Sequence, residues 1–323
     1  YAQKDRLINL GDRALSVGVR QLLEEYMSVD ITQGVTKPFP YLNEKAYRKL
    51  YENLSVEEVL DKWFENILSS ARNKAQFESY LVRFLDRSFI FNNRLFLSLD
   101  QWVKNRFTIG LVEWVKPYLC RNYFAKKMID DISSSEIVIF SAAGLIAEHL
   151  SRFIPMYMFE VYLAVRLGKP VAVINQSVFV KDEALQKLIS CVYSMVNVHT
   201  VREPQSASNL EYLRVKPENI IVSYDSAFFV KGSSRKDLVK KEGISKGDIA
   251  IAIRGDRSLK ELKYLINSLS KFSQETGHQI YFIYTCYAHD KKLFNELSKH
   301  ISLRSPAEYY NYDDVIELLR GFD

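Results

Sequence analysis

Cysteine is scarce in this chain. Cys120, Cys191 and Cys286 are far apart and odd in number, so they outline neither a disulfide framework nor a paired metal or redox motif. They read as small apolar residues of a protein from a reducing, cytoplasmic compartment. His149, His199, His278, His289 and His300 have no metal-ligand spacing with one another or with the cysteines. Nor is there an apolar run of the roughly 18–20 residues that a membrane span needs. The best stretch, 153–174, is interrupted by Glu160, Arg166 and Lys169-Pro170. Gly-x-Gly-x-x-Gly and the P-loop pattern are absent, which argues against a dinucleotide or ATP site of the usual kind. The Gly-x-Ser-x-Gly elbow is missing too. Neither sign of charge dominates. A net charge of +5 is too small to argue for nucleic acid and suits an anionic small ligand. There is no signal peptide. The chain starts at Tyr1 rather than Met and stops just after a helical pattern, so a fragment clipped at both ends is expected.

What the chain does have is alternation. Between Glu136 and Asp225 it reads strand, helix, strand, helix, strand. Glu136–Phe140 and Val171–Ile174 are short apolar runs of the kind buried parallel strands show. The first ends in Ser141-Ala142-Ala143-Gly144, the second in Asn175-Gln176-Ser177. A helix from about Asp182 to Met195 carries Leu185, Leu188, Ile189 and Val192 on one face. Val198–Glu203 follows, then Ile220–Val222 running to Asp225. Upstream, Asn9-Leu10-Gly11-Asp12 precedes a helix from about Arg13 to Met27, with Asp12 as N-cap and Leu15, Val19, Leu22, Leu23 and Tyr26 inward.

Residues 31–128 differ in character and read as a helical insertion or lid. Ser55-Val56-Glu57-Glu58 is a capping box, followed by Val59, Leu60, Trp63, Phe64 and Ile67 on one face and Phe77, Leu81, Phe84 and Leu85 on another. Basic, polar residues 231–246 read as a linker. A second α/β pattern follows. Its strands are Asp248–Arg254 and Gln279–Tyr284, its helices a capped one from Ser258, one over Asp290–Ser298 and a short one at Asp313–Leu319. The expected organisation is a first α/β domain over 1–232 and a second, partial one over 233–323.

Ligands of open α/β sheets sit beyond the carboxyl ends of the strands, so polar residues there are the candidates. Arg202 can grip a carboxylate or phosphate with two parallel hydrogen bonds, or can simply pair with Glu203. Arg254 is a second candidate of that kind. His149 follows the small-residue turn and is a candidate acid or base, or a solvated helix histidine. Asp225 reads as a cap. A glycine before a helix start, as at Gly11-Asp12, exposes backbone N–H groups to an anion.

In order, these pieces resemble the polysaccharide pyruvyl transferase family. The matching residues are Asn9–Asp12, Glu136–Phe140 with the turn to Gly144, Gly168-Lys169-Pro170-Val171, Gln176-Ser177, Val201–Ser206 with Leu210, Tyr224–Phe228, and the strand ending at Arg254. Val-Arg-Glu-x-x-Ser is the strongest of them. The resemblance implies two Rossmann-like domains in a GT-B-like arrangement. It also implies transfer of the enolpyruvyl group of phosphoenolpyruvate onto two hydroxyls of a cell-surface or extracellular polysaccharide or its precursor, giving a pyruvate ketal. It carries Arg202 over as the residue that holds the donor. His149, from its own place after the turn and not from the resemblance, is the candidate to take the hydroxyl proton. Asn9, Gly11, Asp12, Gly144, Gln176, Ser206 and Arg254 are the substrate-binding set. The partners are then phosphoenolpyruvate and a saccharide acceptor, with no further cofactor; nothing sets the oligomeric state. Two departures stand out. Ala142 and Ala143 occupy positions where the family usually has glycine, and the chain stops before the Arg-x-His motif expected after Asp313–Leu319. A glycosyltransferase using a nucleotide sugar and an inactive glycan-binding relative are the competing readings.

Overall fold

The computed structural model describes residues 10–27, 29–32, 39–87, 118–232, 235, 237–253, 260–306, 310 and 312–322. Contacts divide the chain into two units, one made of Tyr1–Met27 with Ser226–Asp323, the other of Ser28–Asp225. The expected division at 232/233 thus differs from the observed one, and the first helix α1 (Leu10–Tyr26) belongs with the carboxyl-terminal residues. The reason is a close approach: α1 packs against the 3-10 turn Ser226–Phe229. A Cβ at Gly18 would lie 2.0 Å from the Ser226 carbonyl oxygen. Gly18→Ala should therefore reverse the usual helix-propensity gain of about 1 kcal/mol and cost about 2 kcal/mol through overpacking. Urea unfolding of the variant checks the sign. Tyr26, expected inward, is 76% exposed.

In the larger unit, helices α2 (Glu44–Tyr51), α3 (Val56–Arg87) and α4 (Arg121–Ser134) precede the sheet. The Ser55 capping box forms as expected. Ser55 N donates to Glu58 Oε2 at 2.7 Å, and Glu58 N donates to Ser55 Oγ at 3.2 Å. Val59, Leu60, Trp63, Phe64 and Ile67 are all buried. They share one hydrophobic core with the sheet, so these helices are part of the domain rather than a lid. Phe77 is 72% exposed and not core. The side chains of Phe84 and Leu85, and the aromatic residues Trp102, Phe107 and Trp114 that continue the apolar pattern of the sequence, lie outside the described residues.

Strands β1 (Val138–Ser141), β3 (Val171–Gln176), β5 (Val198–Val201) and β6 (Ile220–Val222) form a parallel sheet in the order β1-β3-β5-β6. Beyond the carboxyl ends of β1 and β3, β2 (Ile146–Ala147) pairs in parallel with β4 (Val178–Phe179). Among the described residues β1 ends the sheet; it is half-buried rather than fully buried as its composition suggested, and Ile137 before it is exposed. The intervening α5 (Ile154–Arg166) is buried on nearly all sides, which explains its apolar composition without a membrane. Among the described residues no helix is long and apolar enough to cross one. Helix α6 (Glu183–Tyr193) has Asp182 as N-cap, accepting from Leu185 N at 3.0 Å. Its face Leu185, Leu188, Ile189 and Val192 is fully buried, as the spacing predicts.

Helix α7 (Pro204–Tyr212) belongs to the larger unit, and in the smaller one the supposed linker contains α8 (Leu238–Lys241). Leu238 is buried against Ile283, Tyr310, Val315 and Leu318, which ties this segment into the domain. Strands β7 (Ile249–Ile251), β8 (Ile280–Phe282) and β9 (Leu303–Arg304) form a second parallel sheet in that order. Helix α9 (Lys263–Thr276) starts five residues after the expected Ser258 and has no side-chain cap; Leu265 on it is exposed. Helices α10 (Tyr287–Leu297) and α11 (Tyr312–Leu319) match the sequence reading. Of the cysteines, Cys120 is buried and Cys191 and Cys286 half-buried. Burial, with Glu57 nearby, pushes the Cys191 thiol up to about 12, so it is not a thiolate nucleophile at neutral pH.

Candidate functional site

The polar residues that the larger sheet brings together lie at the carboxyl ends of β3, β5 and β6. Each strand is continued by one backbone bond beyond its end. Ser177 N donates to Ala143 O at 2.8 Å, Arg202 N to Gln176 O at 3.1 Å, and Ser223 N to Val201 O at 2.8 Å. Pro204 opens α7 and forces Glu203 before it into extended backbone, observed at φ −144° and ψ 149°. Arg202 and Glu203 are thereby held just past the strand.

Arg202 donates from Nε and Nη2 to the Ser177 hydroxyl, at 3.1 and 2.6 Å. Nη1 donates to Asp225 Oδ2 at 2.8 Å. These bonds use three of the five guanidinium N–H groups, leaving one on each terminal nitrogen among the described residues. A Cβ on Gly144 would lie 4.0 Å from Nη2, so the turn after β1 runs beside that nitrogen with no side chain over it. Arg202 and Asp225 are each about three-quarters buried. Ser177 donates to Glu203 Oε2 at 3.1 Å, and Ser206 donates to Glu203 Oε1 while accepting from Val178 N at 2.9 Å. With both carboxylates ionised the cluster carries one net negative charge. Its grip on an anion comes from directed N–H groups and not from overall potential.

Two backbone irregularities shape these ends. Ala143 has φ +46° and Asn175 φ +59°. Both values belong to the left-handed region that L-residues enter at a cost of about 1 kcal/mol or more. Glycine would take the Ala143 conformation freely, so alanine here is tolerated with strain rather than excluded. The register of β3 against β5 shifts between Val173 and Gln176. This bulge places both Asn175 and Gln176 in the interior and leaves Ser177 toward Arg202.

Of the expected site residues, Arg202, Ser206 and Gly144 therefore come together. Ser206 is buried and supports Glu203 and β4. Gln176 does not face the cluster: it is 0% exposed, and its Nε2 lies 3.1 Å from His199 Nδ1. The paired alternative for Arg202 also changes, because its carboxylate partner is Asp225 and not Glu203. Asp225 was read only as a cap, and Ser177 only as a strand end. His149 is exposed on the 3-10 turn Glu148–Phe153, and no hydrogen bond among the described residues ties it to Arg202. Gly11 and Asp12 lie inside the first turn of α1, so the helix starts at Leu10 and Asp12 is not its N-cap. They belong to the other unit. Asn9 and Arg254 lie outside the described residues. No cluster of three or more metal-ligating side chains occurs among the described residues.

No curated protein and no solved structure matches this chain. A family model does, over residues 9–323, which takes in Arg202, Glu203 and Ser206 as well as both sheets. That match covers nearly the whole chain: the chain belongs to the polysaccharide pyruvyl transferase family and is a transferase.

Proposed function

We propose that this protein moves the enolpyruvyl group of phosphoenolpyruvate onto two hydroxyls of a saccharide unit of a cell-surface or extracellular polysaccharide, or of its precursor, forming a pyruvate ketal. The observation that carries the reading is Arg202. It is anchored by Ser177 and Asp225 and keeps one N–H on each terminal nitrogen among the described residues, with Nη2 beside the turn at Gly144. Such a pair of donors suits the carboxylate or phosphate of the donor.

The chemistry sets what has to be done. The methylene carbon of the donor takes a proton and becomes a methyl group. Two acceptor hydroxyl oxygens bond to the adjacent carbon, and its bond to the phosphate oxygen breaks. One hydroxyl proton balances the proton added to carbon; the other leaves with phosphate. Arg202 holds the anion and stabilises the departing charge. His149 is the group assigned to take a hydroxyl proton, since an imidazole nitrogen can accept one, and it is solvent-accessible. A parallel sheet in each unit supports reading them as the two Rossmann-like domains of a GT-B-like pair. A phosphoenolpyruvate donor would make the cytoplasm the place of reaction, with no cofactor beyond it.

Calorimetric titration with phosphoenolpyruvate, beside a panel of nucleoside diphosphate sugars, tests the proposal. Saturable binding of phosphoenolpyruvate, with phosphate release once a saccharide acceptor is added, is the expected outcome. A ligand bound only to the folded state also stabilises it, by about 2.7 kcal/mol at a hundredfold excess over its dissociation constant. Saturation by a nucleotide sugar alone would overturn the reading in favour of glycosyl transfer.

A further inference from the structure

We infer that Ser177 and Glu203 are positioning residues for Arg202, acting through a hydrogen-bond chain in which only one arrangement of protons is allowed. The chain is closed at both ends by groups that can only donate. At one end the Val178 amide donates to Ser206 Oγ at 2.9 Å, so the Ser206 proton must point elsewhere, and Glu203 Oε1 receives it. At the other end the Arg202 guanidinium donates twice to Ser177 Oγ, from Nε at 3.1 Å and Nη2 at 2.6 Å. Both lone pairs of that hydroxyl are then occupied, and its proton goes to Glu203 Oε2 at 3.1 Å.

An ionised carboxylate only accepts, so Glu203 is the one point where both hydroxyl protons converge. It sets the Ser177 rotor, and the rotor presents its lone pairs to one edge of the guanidinium. Asp225 takes a third N–H from Nη1 at 2.8 Å. Arg202 is thus held on two sides, with Nη2 beside the Gly144 turn, and cannot reorient its remaining N–H groups without breaking these bonds. Ser177, Glu203 and Ser206 lie on three different segments, after β3, after β5 and on α7. Ser177 and Ser206 are buried, and among the described residues their hydroxyls bond only within this chain and to the β4 amide. The inference rests on the proposed donor role of Arg202 for its effect on turnover, but not for its effect on the side chain itself.

The test uses two independent readouts on the same protein. The first is the side-chain Nε–H signal of Arg202 in a two-dimensional 1H–15N spectrum, assigned by its loss in Arg202→Lys. A sharp, slowly exchanging signal is expected in the parent and in Ser177→Thr, which keeps the hydroxyl, and its loss or broadening in Ser177→Ala. The second is phosphoenolpyruvate kinetics. Ser177→Ala should raise KM about 10–100-fold, the fold-change that corresponds to a lost hydrogen bond to a charged group. At saturation kcat should stay close to the parent value, because Arg202 remains present. Glu203→Gln should give a smaller rise, about 3–10-fold, since an amide accepts one of the two converging protons and not both. A merely structural role would lower the active fraction, and so kcat, with KM unchanged. A parent-like Arg202 signal in Ser177→Ala overturns the inference, as does a loss confined to kcat. If the parent binds no phosphoenolpyruvate, the functional reading falls while the Arg202 signal still decides the positioning role.

Discussion

Arg202→Ala is expected to lower kcat/KM for phosphoenolpyruvate by about 10²–10³-fold, the range seen when a preorganised donor to developing negative charge is removed. The loss should be larger than for any neighbour in the cluster, because Arg202 supplies both free N–H groups. Lysine should not restore it: an ammonium is a point charge and cannot present two parallel donors to a carboxylate or phosphate. Folding should survive the change. The Arg202–Asp225 pair at 2.8 Å is about a quarter exposed on each side, so water can partly replace the lost partner. A destabilisation of about 1 kcal/mol is the expected scale after that screening. Phosphate release gives the activity, and urea unfolding of the same preparation shows that the loss is not one of folded protein. Turnover equal to the parent's in Arg202→Ala would remove this residue from the mechanism.

Acidification is expected to remove about 3 kcal/mol of stability through His199 alone as the pH falls from about 6.5 to about 4. His199 is fully buried on β5. Burial pushes its imidazole down from 6.5 to about 4, opposed only by the hydrogen bond to the Tyr193 carbonyl. The folded protein therefore keeps the ring neutral across this window, whereas the unfolded chain gains a proton there. The unfolded state binds more protons, so stability is fully present above the ordinary histidine range and is lost as the pH falls. The neutral ring has one consistent tautomer. Nε2–H donates to the Tyr193 carbonyl at 3.1 Å, which leaves Nδ1 to accept from Gln176 Nε2 at 3.1 Å. The check is the pH slope of the unfolding free energy between 6.5 and 4.5, compared with His199→Gln. The variant should be less stable throughout but should show the shallower slope. A His199 ring resonance that titrates near pH 6.5 in the folded protein would refute the expectation.

The two cases differ in how far the sequence could reach. Arg202 is readable because strand ends are readable. An apolar run followed by a polar residue and a proline marks where β5 stops, and the ligand side of such a sheet follows from the chain's direction. His199 is not readable as a buried neutral ring, since its neighbours Tyr193 and Gln176 come from α6 and β3. Gln176 shows the limit most clearly. Strict alternation would put Val171, Val173 and Asn175 on one face and Gln176 on the other, but the bulge before Gln176 adds a residue and turns it inward. A bulge depends on how two strands register, and one strand's pattern does not contain that.

The sequence by itself determined the α/β class, most strand and helix positions, the buried face of α6, the Ser55 capping box and the place of Arg202 at a strand end. These are local: they follow from periods of 2 and 3.6 residues, from caps three residues apart and from proline's restriction of its neighbour. The order of its motifs also carried the family. The tertiary structure alone decided that Arg202 pairs with Asp225, 23 positions away, rather than with Glu203 beside it. It decided that Ser177 and Glu203 share a proton chain, that helices α2, α3 and α4 join the core instead of covering it, and that α1 packs with the carboxyl-terminal unit. The physical reason is common to all four. Each depends on which surfaces meet after the strands pair, and pairing is selected by the free energy of the whole core, not by any window of the chain.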